Sequence, residues 1–114
     1  MTESILHESR AADVLAALGN RTRLQVFRTL VKAGDDGLNV GDLQEHLGIP
    51  PSTLAHHLQT LARTGLVQQE RQGREIISWV NFDMMHGLVH FLTSECCAGL
   101  KVPVLGSALT KDSA

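Results

Sequence analysis

The chain has 114 residues, of which 43% are hydrophobic, and its 10 Lys+Arg and 12 Asp+Glu residues give a net charge of −2. This length suits one domain of ordinary size. No apolar run reaches the roughly 18–20 residues that a membrane-spanning helix needs. The opening "MTESILHESR" is too polar for a signal peptide. We therefore expect a cytoplasmic protein without membrane contact, in which thiols stay reduced.

The basic residues are distributed unevenly along the chain. An acidic total differs from the overall basicity of many nucleic-acid binders, but local basic faces can still bind phosphate. Residues 20–32 and 50–74 are two such basic segments. The first contains Arg21, Arg23, Arg28 and Lys32 without an acid, and the second contains Arg63, Arg71 and Arg74 against Glu70.

Apolar residues recur at helical spacing through the first 64 residues. The pattern predicts a helix over residues 4–18, a second in "RTRLQVFRTLVK", a short third in "NVGDLQEHL" and a fourth over residues 51–64. Asn20 is a suitable N-cap for the second helix, and Pro51 stands in the first turn of the fourth. Glycines mark the ends of these helices, at Gly19, Gly34, Gly48 and Gly65.

The period of the pattern changes after residue 65. The runs "LVQQE" and "EIISWV" favour strands, and "RQGR" between them favours a hairpin turn at Gly73. A last helix is then predicted through "NFDMMHGLVHFLTSECC". This helix has more apolar surface than a peripheral helix needs, so we expect a partner to cover its stripe of Met84, Met85, Leu88, Val89 and Leu92.

The order of these elements predicts a mainly α fold. Two helices joined by a tight turn and followed by a hairpin describe a winged helix-turn-helix, here with five helices and a two-stranded β-hairpin wing. We expect residues 1–98 to form the DNA-binding and dimerisation domain. Residues 99–114, with Gly99, Pro103 and Gly106, are predicted to form a flexible tail.

The fourth predicted helix occupies the place where such folds present a helix to the major groove of DNA. Leu54, Leu58 and Leu61 mark its inner face, and His57 shares that side as a hydrogen-bonded inner residue. Ordinary solvated surface is the alternative for its outer face. The predicted DNA-binding residues, whose polar groups and methyl can contact base edges or phosphates, are Ser52, Thr53, Ala55, His56 and Gln59 on the helix and Arg71 and Arg74 on the wing.

The two cysteines of the chain are adjacent, in "SECCAGL". Neighbours form a disulfide poorly, because bridged Cα atoms lie about 4.4–6.8 Å apart and consecutive ones lie about 3.8 Å apart. Three roles stay open: a pair of buried small hydrophobic residues, a redox or persulfide switch, or a site for a soft metalloid. A helix C-terminus and Glu95 would keep both thiols protonated, which favours a metalloid that displaces the protons.

Three stretches, "LAALGNRTRLQVFRTLV", "VGDLQEHLGIPPSTLAHHLQTLARTGLV" and "QQERQGREIISWV", resemble the ArsR family of dimeric winged-helix repressors. The resemblance covers roughly residues 10–97. It implies a homodimer, formed through the first and last helices, that sits on double-stranded operator DNA and is released by an inducer.

The stretch "LTSECCAG" is similar to the end of the last helix in an arsenic-responsive branch of this family. The resemblance implies that Cys96 and Cys97 bind trivalent arsenic or antimony as thiolates. The branch has another cysteine a few residues on as the third ligand, and in this chain Val102 or a neighbour occupies that place, so the third thiolate is missing. Another metalloid-sensing branch has thiolates where this chain has Asn39 and Gly41, so that site is absent here.

A zinc-sensing branch of the family carries its ligands on the last helix. Asp83, His86 and His90 share one helical face here, but their spacing differs from that branch. Zinc sites need four ligands and no fourth is evident, so no zinc is expected.

These features together predict a transcriptional repressor that leaves its operator when a metalloid binds the cysteine pair. A thiol-based redox or persulfide-responsive repressor of the same fold is the first alternative. A dithiol redox enzyme and a winged helix used only for protein–protein contact are further alternatives. We predict that the chain is not an enzyme, because it has no C-x-x-C motif and no glycine-rich phosphate loop.

Overall fold

The computed structural model describes residues 6–99, and it shows a mainly α winged helix-turn-helix, as predicted. A 3₁₀ turn, Gly34–Asp36, joins the second helix to the first strand. Residues 100–114, which include most of the predicted flexible tail and Val102, lie outside the described residues. The elements are α1 (Glu8–Leu18), α2 (Arg21–Ala33), β1 (Leu38–Asn39), α3 (Val40–Leu47), α4 (Pro51–Arg63), β2 (Val67–Gln72), β3 (Glu75–Val80) and α5 (Phe82–Thr93).

Asparagine side chains fix where three of the helices begin. Asn20, Asn39 and Asn81 precede α2, α3 and α5, and each accepts a hydrogen bond from the backbone N–H three residues on, at 2.9, 2.7 and 3.2 Å. Such a cap satisfies one of the backbone donors that the first helical turn leaves unpaired. The cap predicted at Asn20 is therefore confirmed, and the other two set the starts of α3 and α5.

Two helix boundaries differ from the prediction by more than one residue. α1 begins at Glu8, because the preceding His7 is extended, with φ −77° and ψ 156°. α5 ends at Thr93, so the predicted continuation of this helix through Cys97 is wrong. Ser94 is extended, and the hydroxyls of Thr93 and Ser94 donate to backbone carbonyls of the last turn. Hydroxyls that bond nearby carbonyls compete with helical hydrogen bonding, which is consistent with an end at this point.

A third strand, which the sequence pattern did not reveal, joins the predicted hairpin. The sheet is antiparallel in the order β1-β3-β2, with Leu38 opposite Ser78. The close approach of β1 to β3 depends on Gly37, which has a φ of +68°. A Cβ at this position would lie 2.4 Å from the carbonyl oxygen of Ser78, so only glycine fits without displacing the strand.

The hairpin of β2 and β3 closes through a two-residue turn. Gln72 pairs with Glu75, which leaves Gly73 and Arg74 as the turn residues. Gly73 has a φ of +67°, as the first position of a type II′ hairpin turn requires. The predicted wing is therefore confirmed, with its tip at Arg74.

The helices and the sheet enclose one hydrophobic core. The exposed apolar surface of α5 is smaller than the sequence predicted, because Leu88 is buried and Met84 and Met85 pack partly against the core. Val89 and Leu92 stay exposed, at 54% and 55%. No helix within residues 6–99 has the length and apolar character to cross a membrane. The largest fully buried apolar side chains are Val14, Val26, Leu30, Leu43, Leu54, Leu58, Leu61, Leu66, Val67 and Val80.

Candidate DNA-binding surface and cysteine site

The helix α4 separates an apolar inner face from a polar outer face. Its buried residues are Leu54, His57, Leu58 and Leu61, which recur at helical spacing and pack into the core. All the residues predicted to meet DNA on this helix are exposed, so the structure presents them together on one surface. These residues are Ser52, Thr53, Ala55, His56 and Gln59.

A partly buried polar contact supports the inner face of α4. The Arg23 guanidinium donates through Nε to the Ala17 carbonyl at 2.6 Å and lies with Nη1 3.3 Å from Nδ1 of His57. Since arginine can only donate, Nδ1 of His57 accepts and the ring proton is on Nε2. This contact confirms the prediction that His57 is an inner, hydrogen-bonded residue, and it joins α1, α2 and α4 at one point.

Sequence reasoning did not identify Arg23 as the residue that joins these helices. The available signal was its place in "GNRTRL", where it stands three residues after the N-cap Asn20.

Burial, the neighbouring Arg23 charge and, to a smaller extent, His56 lower the pKa of His57. His57 is therefore held neutral, and a neutral ring is what the hydrogen bond from Arg23 requires.

The wing carries the second group of predicted DNA-binding residues. Arg71 on β2 and Arg74 at the turn are both exposed. The tip end of the wing is tied to the start of α3, since the Asn39 side chain donates to the carboxylate of Glu75, the first residue after the turn, at 3.2 Å. This hydrogen bond holds the carboxylate next to Arg74 in the chain, so it also limits how far the wing tip can move.

The cysteine pair lies on an exposed turn that follows α5. Backbone hydrogen bonds from Cys96 to Thr93 and from Ala98 to Glu95, at 2.9 and 3.1 Å, close this turn. Glu95 and Cys97 adopt positive φ values of 69° and 62°. Residues other than glycine enter this left-handed region at a cost and concentrate at functional sites.

The two sulfurs already lie side by side, because the turn replaces the helix that was predicted here. Sγ of Cys96 is 3.1 Å from Sγ of Cys97, and both residues are exposed and free. Two thiolates bound to one thiophilic centre at about 2.3 Å would lie about 3.1–3.8 Å apart for bond angles of about 85–110°. The observed separation of 3.1 Å therefore lies at the short end of the range that two thiolates on one such centre would have.

The Cys96 thiol favours its protonated form. The hydrogen bond with Cys97, together with some desolvation, raises the pKa of Cys96 above its ordinary value. A ligand that binds the pair as thiolates must therefore displace protons.

The structure describes no complete metal site within residues 6–99, where no cluster of three or more His, Cys, Asp or Glu residues could hold an ion. The histidines and the carboxylate on α5, His86, His90 and Asp83, are all exposed and form no such cluster. The place of the third metalloid ligand, at Val102 or a neighbour, lies outside the described residues.

Comparisons with known proteins agree with this architecture. A family model described as a helix-turn-helix domain matches residues 18–70. Over 60 residues the chain is 38% identical to ArsR2 of Halobacterium salinarum, which is named as an arsenical resistance operon repressor. The match covers 53% of this chain and 50% of ArsR2, so it spans about half the length of that relative.

Two solved structures are similar over most of the described chain. HlyU of Vibrio cholerae, named as a transcriptional activator, has a TM-score of 0.60 at 31% identity, over 74% of this chain and 91% of HlyU. The Mb0332 domain of Mycobacterium bovis has a TM-score of 0.60 at 25% identity, over 77% and 82% of the two chains. Mb0332 is described as a homodimeric winged helix-turn-helix DNA-binding domain and as "a possible ArsR-family transcriptional regulator".

These relatives are regulators of transcription or DNA-binding domains, which confirms the prediction that this chain is not an enzyme. The matched segment, residues 18–70, includes α2, α3, α4 and the start of the wing. The chain therefore belongs to the ArsR family of winged helix-turn-helix transcriptional regulators.

Proposed function

We propose that this chain is a homodimeric transcriptional repressor that binds double-stranded operator DNA and is released by trivalent arsenic or antimony. The observation that carries the proposal is the pair of exposed sulfurs, 3.1 Å apart, on the turn directly after α5. The metalloid is the inducer in this scheme, and Cys96 and Cys97 supply two of its ligands.

The proposed contact with DNA rests on the outer face of α4. This face presents hydroxyl, imidazole and amide groups, which can hydrogen-bond base edges in the major groove, and the Ala55 methyl, which can contact a thymine methyl. Arg71 and Arg74 on the wing bind the DNA phosphates beside this major groove and do not contact its base edges. The helix thus supplies sequence discrimination, and the wing supplies affinity.

The proposed dimer rests on apolar residues that the described chain leaves exposed. Val89 and Leu92 on α5 and Leu15 on α1 are 54%, 55% and 41% exposed, and α1 contacts α5. A second copy that covers these residues would remove them from water, and the related Mb0332 domain is a homodimer. Two-fold symmetry would then place the two α4 helices about 34 Å apart, in successive major grooves.

The proposed release follows from the position of the cysteine turn. A soft trivalent metalloid would replace the thiol protons and bind both sulfurs, with a small thiol or hydroxide completing its coordination. Because Cys96 lies three residues after the end of α5, strain in the turn acts on the helix that bears Val89 and Leu92. A coupling of about 1–3 kcal/mol, which is about a 5–150-fold loss of affinity, is enough to empty an operator.

A persulfide- or oxidant-responsive repressor would use the same two sulfurs in another way. Oxidation by peroxide or persulfide proceeds through a thiolate, and the raised pKa of Cys96 keeps that thiol protonated at neutral pH. This favours the metalloid over the oxidant as inducer.

The proposal is tested by fluorescence anisotropy of DNA from the promoter of the chain's own gene. We expect the protein to bind this DNA as a dimer more tightly than DNA of random sequence, and to leave it when arsenite is added. Inorganic polysulfide, added separately, should leave the complex intact. Equal affinity for the two DNAs contradicts operator recognition, and release by polysulfide but not by arsenite contradicts the metalloid as inducer.

A further inference from the structure

A second site, distant in sequence from the cysteines, lies between the helices. A cleft of about 420 Å³ opens between α1, the start of α2 and the C-terminal end of α4, and three arginines line it: Arg10, Arg23 and Arg63. We propose that this cleft binds a phosphate-like oxyanion. The proposal goes beyond operator binding by α4 and release through the cysteines; binding of a free anion depends on neither, and binding of a DNA phosphate rests on the proposed function.

The charge of the cleft favours an anion. Asp13 is the one acidic residue that lines the cleft, so three guanidinium groups against one carboxylate leave two positive charges. Arginine is suited to such a ligand, because its planar fork of N–H donors matches two oxygens of a phosphate or a carboxylate. The remaining lining residues, among them Ala16 and Thr60, are small and leave the space open.

Two of the arginines are held in place without a ligand. Arg10 donates through Nε to the Thr64 carbonyl at 3.2 Å, and Arg23 donates through Nε to the Ala17 carbonyl at 2.6 Å. A hydrogen bond from Nε orients each guanidinium. In Arg10 this bond does not use the two terminal nitrogens, which can donate to an anion. A site whose donors are already positioned loses less conformational entropy when the anion arrives.

The oxyanion could be a phosphate of the DNA backbone or a free anion from solution, and the position of Arg63 is compatible with both. Arg63 stands seven residues after His56, which places the two on the same side of α4 after about two helical turns. The cleft therefore adjoins the proposed DNA-binding surface, where a backbone phosphate could enter it. A small free anion, such as inorganic phosphate, offers the same chemistry from solution.

The first arm of the test uses the protein without DNA or arsenite. Inorganic phosphate is titrated at constant ionic strength, with chloride as the balancing anion, and followed through the NMR signals of the arginine side chains. If a free anion fills the cleft, we expect saturable shifts of the Arg10, Arg23 and Arg63 signals. In Arg10→Gln and in Arg63→Gln the phosphate affinity should fall about tenfold or more, since each variant lacks a charge-assisted donor pair.

The matched control for this arm is Arg28→Gln, which removes one exposed positive charge from α2 outside the cleft. Its phosphate affinity should stay within about twofold of the parent, because charge at a distance is screened by salt. Arg23 is left unaltered, since it also holds His57. Thermal unfolding of each variant verifies that it is folded.

The second arm measures binding of the same variants to operator and random DNA over a range of salt concentrations. If a backbone phosphate fills the cleft, Arg10→Gln and Arg63→Gln weaken both complexes and lower the slope of log K against log salt by about 1. In that case titration with inorganic phosphate causes only small shifts of the arginine signals. If a free anion fills it, the phosphate arm responds and DNA binding matches that of Arg28→Gln. A parent with no saturable phosphate binding, whose variants also bind DNA like the control, overturns the site.

Discussion

In the proposed function, helix α4 binds DNA and the turn of residues 94–97 binds the inducer. The two regions differ in how much of each is buried in the core. α4 buries four side chains in the core, and Arg23 holds its inner His57 in place. Every side chain of the turn is exposed, and two of its residues have positive φ. The proposed DNA-binding surface is thus fixed by the core, whereas a turn that is free of the core can change shape without unfolding the domain.

The largest expected effect tests this difference through stability. Leu58→Ala on the inner face of α4 should lower the free energy of unfolding by about 2–5 kcal/mol, because it leaves a cavity in a fully packed core. Cys97→Ser on the exposed turn is the control and should change it by no more than about 0.5 kcal/mol. Urea unfolding measures both. A loss for Cys97→Ser as large as that for Leu58→Ala would show that the turn is part of the core.

The second effect tests whether the turn carries the response to metalloid. Cys96→Ser and Cys97→Ser should bind operator DNA like the parent, but arsenite should no longer weaken that binding by the expected factor of about 5–150. The reason is that one sulfur cannot form the two-thiolate site. Anisotropy titrations with and without arsenite provide the measurement, and a normal arsenite response in both variants would rule out the cysteine pair as the inducer site.

The third effect concerns sequence discrimination by the outer face of α4. His56→Ala should cost about 1–3 kcal/mol of affinity for the operator and little for random DNA, since a base contact is lost. His46→Ala removes an exposed histidine from α3 and serves as the control, with both affinities near those of the parent. Competition binding with the two DNAs measures the difference. Equal losses on operator and random DNA for His56→Ala would contradict base recognition by this residue.

A smaller effect is expected at the wing. Arg74→Gln should weaken binding to operator and random DNA alike and reduce the slope of log K against log salt by about 1, as removal of one phosphate contact does. Affinities at several salt concentrations give the slope. A loss confined to the operator would instead assign Arg74 to base contacts in a groove.

The smallest effect concerns pH and the contact behind α4. Because the folded protein lowers the pKa of His57, the unfolded chain binds a proton more readily than the folded protein. The stability that depends on neutral His57 is therefore complete above pH 6.5 and is lost as the pH falls through the lowered value. In His57→Gln this titration is absent, so its free energy of unfolding should fall less steeply below pH 6.5. Identical pH profiles of parent and variant would contradict the assignment.

The sequence was sufficient for the presence of the five helices and the hairpin and for the two faces of α4. Helical periodicity assigns Leu54, Leu58 and Leu61 to the core and thereby exposes His56, so the outer residues of α4 follow from local spacing alone. The cap at Asn20 and the hairpin turn at Gly73 are equally local, because each depends on a few neighbouring residues. The family resemblance rested on the same regular segments, and the comparisons confirm it.

The tertiary structure decided the features that depend on residues far apart in the chain. β1 pairs with β3 because Gly37 lets the backbone approach Ser78. A strand of two residues is too short to be predicted from a periodic pattern. The contact of Arg23 with His57 spans 34 positions and required α2 and α4 to be packed first. The cysteine sulfurs came together because α5 ends at Thr93, where side-chain hydroxyls and positive φ values replace a helical turn. Local spacing predicts which face of an element is buried, but only packing determines which distant groups meet.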